Sequence, residues 1–140
     1  MVKCRVNGVN CALLIDSGVD VTVIKKSCLE KKIGLVLEKQ NRRINKLKCA
    51  NSSEIKVYGE IGLSVEIGPN SKVVNFLVVD NIVPEIILGI RSLKSLEIDV
   101  IARDDAVKCY GVVIPFVNPI PVDKQVFDAS NKKNFQMTQF

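Results

Sequence analysis

The chain has no histidine and no tryptophan among its 140 residues. Without an imidazole, Ser-His-Asp and Cys-His catalysis, histidine-ligated metal sites and imidazole proton transfer are all excluded. No apolar run approaches the roughly 18 residues that a membrane-spanning helix needs, and the first residues lack the basic-then-apolar pattern of a secretory signal. These absences lead to the expectation of a soluble, cytoplasmic protein with no membrane partner. The five cysteines, Cys4, Cys11, Cys28, Cys49 and Cys109, are scattered, with no Cys-x-x-Cys pair to suggest zinc. They read as free thiols in a reducing compartment, with Cys4 and Cys11 as small hydrophobes of the interior. Neither a metal nor a cofactor is expected. Basic residues outnumber acidic ones 20 to 15, for a net charge of +5. Some form small pairs (Lys25-Lys26, Lys31-Lys32, Arg42-Arg43, Lys132-Lys133), and none belongs to a run of five or more. With two tyrosines and no recognisable nucleic-acid module, the pairs read as solvated faces, and nucleic acid is not an expected partner.

What is present is apolar material, 47% of the residues, enough for one domain that buries about two-thirds of its unfolded surface. Two apolar runs flank Asn7-Gly8, a pair that tolerates positive φ and signals a hairpin ending near Ile15. Val21 to Ile24 reads as a strand. Ser27 to Ile33 reads as one or two helical turns capped by the serine and stopped by Gly34. From Glu54 onward Ile55, Val57, Ile61, Leu63, Val65 and Ile67 alternate with polar residues or glycine, the period of half-buried strands, until Gly68-Pro69-Asn70-Ser71 turns the chain. Val73 to Val79, Ile86 to Leu88 and Tyr110 to Phe116 give further strands, and Arg91 to Leu96 a brief helix with Leu93 and Leu96 facing the core. The expected class is all-β, with one or two short helices, closed or sandwiched into a small sheet structure. After Pro115 the composition turns polar, with Pro119 and Pro121, so residues 118–140 are expected to be a poorly ordered tail behind a domain of residues 1–117.

One acid interrupts the apolar pattern. Asp16 stands with Ser17 and Gly18 between Leu13-Leu14-Ile15 and Val21-Thr22-Val23-Ile24. A carboxylate at the end of a buried strand is costly to desolvate unless bonded or paired, and such acids gather at reactive sites. Asp-Ser-Gly also ends many strands merely as a turn, so the motif alone leaves both readings open. The second half of the signal is Glu85-Ile86-Ile87-Leu88-Gly89-Ile90-Arg91-Ser92-Leu93, another apolar strand running into a glycine.

Together these motifs, over residues 2 to 117, resemble the retropepsins, the aspartic proteases of retroviruses and long-terminal-repeat retrotransposons, with the retrotransposon branch the closer likeness. The resemblance implies an acid-protease-like barrel contributing one lobe per chain and active as a homodimer. It implies an aspartic endopeptidase that processes a retroelement polyprotein in the cytoplasm or inside the element's particles. Asp16, Ser17 and Gly18 would be catalytic. Asp20, Ile90 and the tip Ala50-Asn51-Ser52 of a flap hairpin over Leu47 to Gly59 would bind an extended polypeptide. Gly89 would let its strand pass behind the catalytic loop, and Thr22 would bond locally.

Two departures are visible: Arg91 stands where aspartate is frequent and could pair with Asp20, and Val19 replaces an alanine, which predicts a narrower or shifted pocket. Because peptide hydrolysis by carboxylates needs two of them and the chain has one Asp-Ser-Gly, that mechanism demands a second copy. The alternative is a catalytically inactive dimerisation or peptide-binding module of the same fold.

Overall fold

The computed structural model describes residues 1–38, 42–49, 54–80, 82–117 and 137–138, with 42–49 and 137–138 described as backbone. In chain order the strands are β1 (Val2–Val6), β2 (Val9–Ile15), β3 (Val23–Lys25), β4 (Arg42–Cys49), β5 (Glu54–Ile67), β6 (Asn70–Val79), β7 (Ile86–Leu88), β8 (Ile98–Ile101), β9 (Ala106–Cys109), β10 (Val112–Pro115) and β11 (Met137–Thr138). Among the described residues two short α-helices and one 3-10 turn interrupt them: α1 (Lys26–Cys28), which runs on as a π-helical turn over Leu29–Ile33, α2 (Ile90–Ser95), and the 3-10 turn Ala102–Asp104.

Asn7 and Gly8 take φ values of 48° and 79°, a turn whose twist matches that of the flanking strands, and β1 folds onto β2 from Val6↔Val9 to Val2↔Leu13. Strand alternation sends Val2, Cys4, Val6, Cys11 and Leu13 inward and Lys3 and Arg5 to solvent. The sheet then proceeds from β2 to a parallel β7, from β7 to an antiparallel β3, from β3 to a parallel β6 and back along β5. Strand β5 returns to β1 through Arg5↔Glu66 and Val6↔Val65. The order β1-β2-β7-β3-β6-β5 thus closes on itself, which leaves these strands without free edges and encloses the core. This is the small closed all-β barrel expected from the sequence. Phe76, Leu13, Ile24, Leu63, Leu88 and Leu96 are among its fully buried side chains.

Strand β4 pairs with β5 outside the ring, and β11 pairs with β4. Strands β8, β9 and β10 make a separate three-stranded sheet. Its end is fastened to the start of the chain: the Met1 ammonium donates to the Val117 carbonyl at 3.1 Å and the Val117 N–H to that of Met1 at 2.6 Å.

Several boundaries differ from expectation for identifiable reasons. Gly34 ends the first helical segment with φ 85°, but Ser27 does not cap it. The helix starts at Lys26, straight out of β3, without a side-chain cap, because Lys25 is held in extended backbone by donating its N–H to Glu85 O at 2.7 Å. Only Gly68-Pro69 is needed for the β5–β6 turn. Asn70 already belongs to β6, is 6% exposed and donates Nδ2–H to Leu96 O at 2.5 Å. Tyr110 to Phe116 is not one strand: Tyr110 and Gly111, with φ 48° and 79°, repeat the Asn7-Gly8 geometry and join β9 to β10. The expectation for residues 118–140 lies outside the described residues, Met137–Thr138 excepted.

Candidate active site

Strand β2 carries Asp16 just beyond its last residue. The Asp16 N–H donates to Leu88 O on the neighbouring β7 at 3.0 Å, which fixes the start of the loop. The loop then turns tightly: Val19 N–H donates to Asp16 O at 3.3 Å, and Gly18 N–H donates to Asp16 Oδ1 at 3.0 Å. Its far end is tied by Ile90 N–H, which donates to Val19 O at 2.7 Å. Gly89 sits at this crossing. A Cβ there would lie 2.5 Å from Val21 O and 2.7 Å from Val19 O, so only glycine lets the β7–α2 junction pass behind the loop.

The outcome is an acid that is 4% exposed, with Oδ1 bonded and Oδ2 buried and accepting no hydrogen bond from any described residue. Buried polar atoms nearly always find partners, so an orphaned carboxyl oxygen marks a site. Ser17 and Gly18 beside it are exposed.

Asp20 and Arg91 are both exposed and line one cleft of about 360 Å³ with Thr22, Glu60 and Asn75. The ion pair that Arg91 could have made with Asp20 is not formed: among the described residues no ion pair joins them. Two solvated groups gain little from such a contact. Ile90 is half-buried and packs against the barrel core. Val19, expected to alter a pocket, is fully buried in a second apolar cluster with Val21, Val23, Val57, Val79, Ile82 and Ile87. The hairpin expected over 47 to 59 is present in its arms, Lys48↔Glu54 being their outermost described pair. Its tip, Ala50, Asn51 and Ser52, lies outside the described residues.

Three polar features were not anticipated. Ser92 Oγ lies 2.5 Å from Thr22 Oγ1 in the interior. Tyr58, at the irregularity where Val57↔Val79 gives way to Gly59↔Val78, donates its hydroxyl to Asp80. That bond is the chief reason its phenol is pushed above the usual range. The ammonium groups of Lys56 and Lys26 lie 4.8 and 5.3 Å from the Tyr58 ring centre, within cation–π range. Gly59 inside the strand pattern could have suggested the bulge; nothing in the sequence pointed to Ser92. Among the described residues no cluster of three histidine, cysteine or acidic side chains could hold a metal ion, and no helix is long and apolar enough to cross a membrane.

The sequence and the fold both match known proteins. The aspartyl protease family model matches residues 2–91, from β1 through the Asp16 loop to the Gly89 junction. The retroviral protease-like domain of Ddi1 from Leishmania major superposes with a TM-score of 0.65 at 18% identity, covering 84% of this chain and 92% of that one. The EIAV protease complexed with the inhibitor HBY-793 superposes with a TM-score of 0.51 at 17% identity, covering 71% and 88%. No curated protein sequence matches. The solved structures speak for the fold and the family model for membership: the chain belongs to the aspartyl protease family and has the retropepsin-like fold.

Proposed function

We propose that the protein is an aspartic endopeptidase completed by a second copy of itself, with Asp16 of each protomer facing its mate. The observation that carries this reading is the orphaned Asp16 Oδ2, buried at the end of β2 beside exposed Ser17 and Gly18. A second carboxyl across a two-fold axis, sharing one proton, supplies the missing partner, and two such groups cannot both ionise at that distance. The unprotonated member takes a proton from water as its oxygen attacks the peptide carbonyl. The protonated member gives its proton to the carbonyl oxygen, and collapse of the tetrahedral adduct returns a proton to the departing amine. Ser17 bonds across the dyad to lock the two loops.

The substrate is an extended polypeptide, held by its main chain at Asp20 and beneath the β4–β5 hairpin, whose tip Ala50-Asn51-Ser52 serves as a flap. Val57 and the partly buried Ile55 of that hairpin pack on the cluster around Val19 and Ile87, so substrate side chains reach this apolar surface when the hairpin lifts. Ile90 flanks the groove. The buried free thiols of Cys4, Cys11, Cys28 and Cys109 suit a reducing cytoplasm, and a retroelement polyprotein of the retrotransposon type is the substrate we favour.

The test joins two copies in one tandem chain and changes Asp16→Asn in one copy alone. A dyad predicts loss of cleavage of an apolar peptide as complete as in the double variant. Half the activity, or a strict monomer at tens of micromolar by sedimentation, sinks the paired-acid mechanism and leaves a peptide-binding module.

A further inference from the structure

Thr22 and Ser92 are only 5% and 9% exposed although both line the cleft shared with Asp20 and Arg91, and their two hydroxyls are turned on each other instead of being left to solvent. Thr22 Oγ1 accepts the Gly89 N–H at 3.0 Å and lies 2.5 Å from Ser92 Oγ, one hydroxyl donating to the other. The Thr22 carbonyl accepts the Leu77 N–H at 2.9 Å. One residue thereby ties β6, the β7–α2 junction and α2 together. That junction is where Gly89 has no room for a Cβ, and where Leu88 O and Ile90 N–H hold the two ends of the Asp16–Val19 turn at 3.0 and 2.7 Å. A shift of Gly89 therefore moves both anchors of the turn, since close-packed backbone transmits displacement instead of absorbing it. Arg91, next along the helix, is exposed and takes no part.

We propose that Ser92, acting through Thr22, is a positioning residue: the hydroxyl pair sets the seat of the β7–α2 junction against the Asp16 loop, and with it the attitude in which Asp16 is presented to the second copy. This rests on the paired-acid reading of the site. Ser92 acts through its bond to Thr22, not by contact with the Asp16 carboxyl.

In the full chain, Ser92→Ala and Thr22→Val are expected to lower kcat about tenfold or more, with KM changed by less than about twofold, because small misplacements of reacting groups are felt in the rate. Both should displace the acid limb of the pH profile, which reports how the dyad shares its proton. Ser92→Thr and Thr22→Ser, which keep a hydroxyl, should recover most of the turnover. Amide hydrogen exchange at Gly89 should quicken in the two hydroxyl-free variants. That readout needs no catalysis: a wild type unable to cut peptide would sink the paired-acid reading, while the exchange would still judge the anchor. The proposal is overturned if Ser92→Ala leaves kcat and the pH profile unchanged, if Ser92→Thr is as slow as the alanine variant, or if Gly89 exchange does not respond.

Discussion

Asp16 and Thr22 are two buried polar side chains six positions apart on one loop, and they are treated in opposite ways. Thr22 is satisfied within the chain, by Gly89 N–H and Ser92 Oγ. Among the described residues, Asp16 is satisfied on one oxygen only. The same short stretch therefore contains a finished structural joint and an unfinished chemical one. The lesson is that burial alone does not distinguish a working acid from a packed polar group; the inventory of partners does.

Substitutions can break this contrast. Asp16→Asn keeps an acceptor for Gly18 N–H while removing the ionisable group, so peptide cleavage should fall by about a thousandfold or more, with folding stability changed by less than about 1 kcal/mol. Equal losses of activity and of urea midpoint would make Asp16 structural. Gly89→Ala forces a Cβ against two carbonyl oxygens and should destabilise by about 3 kcal/mol, the upper range for overpacking. A wild-type denaturation midpoint would show that the crossing is looser than described. Thr22→Val orphans the Gly89 N–H and should destabilise by about 1–3 kcal/mol, whereas Thr22→Ser should lose distinctly less. Urea titrations of the pair settle the order.

The smallest effect belongs to the apolar interior. Burial pushes the Cys4 and Cys28 thiols from an ordinary value of 9.0 up to about 12, with a hydrogen bond to Glu85 adding to the rise for Cys28. Below that ordinary value both folded and unfolded chains keep these protons, and their contribution to stability is complete. Above it the unfolded chain releases them while the folded chain does not, so stability should fall as pH climbs towards 12. Melting curves of wild type against Cys4→Ala and Cys28→Ala across this interval should show a shallower decline in the variants.

How much of this was legible beforehand varies element by element. The Asn7-Gly8 hairpin and the long alternating strand were readable because each depends on local chemistry, positive φ and period two, whereas the Gly89 crossing was legible only through the family resemblance, its contacts with Val19 and Val21 being remote in sequence. The second turn of the same geometry was hidden because Tyr110 is a poor advertisement for φ 48°. Strands β8 and β9 were missed because Arg103-Asp104-Asp105 interrupts any periodic pattern between them. The motif marked where the acid would be, but its orphaned oxygen depends on every neighbour at once. Ser92 was invisible for a related reason: a serine between Arg91 and Leu93 looks like helix surface, and its partner is 70 positions away.

The clasp between Met1 and Val117 has a consequence for how the barrel can be wired. Because positions 1 and 117 hold each other by two main-chain hydrogen bonds, a short peptide could bridge them in a chain shortened to residues 1–117, at the loss of the β11–β4 pairing. Fresh termini could then be opened at the Tyr110–Gly111 tip, outside the closed ring. A rewired chain that regained the closed ring would show the barrel's shape to be separable from the order in which its strands are strung.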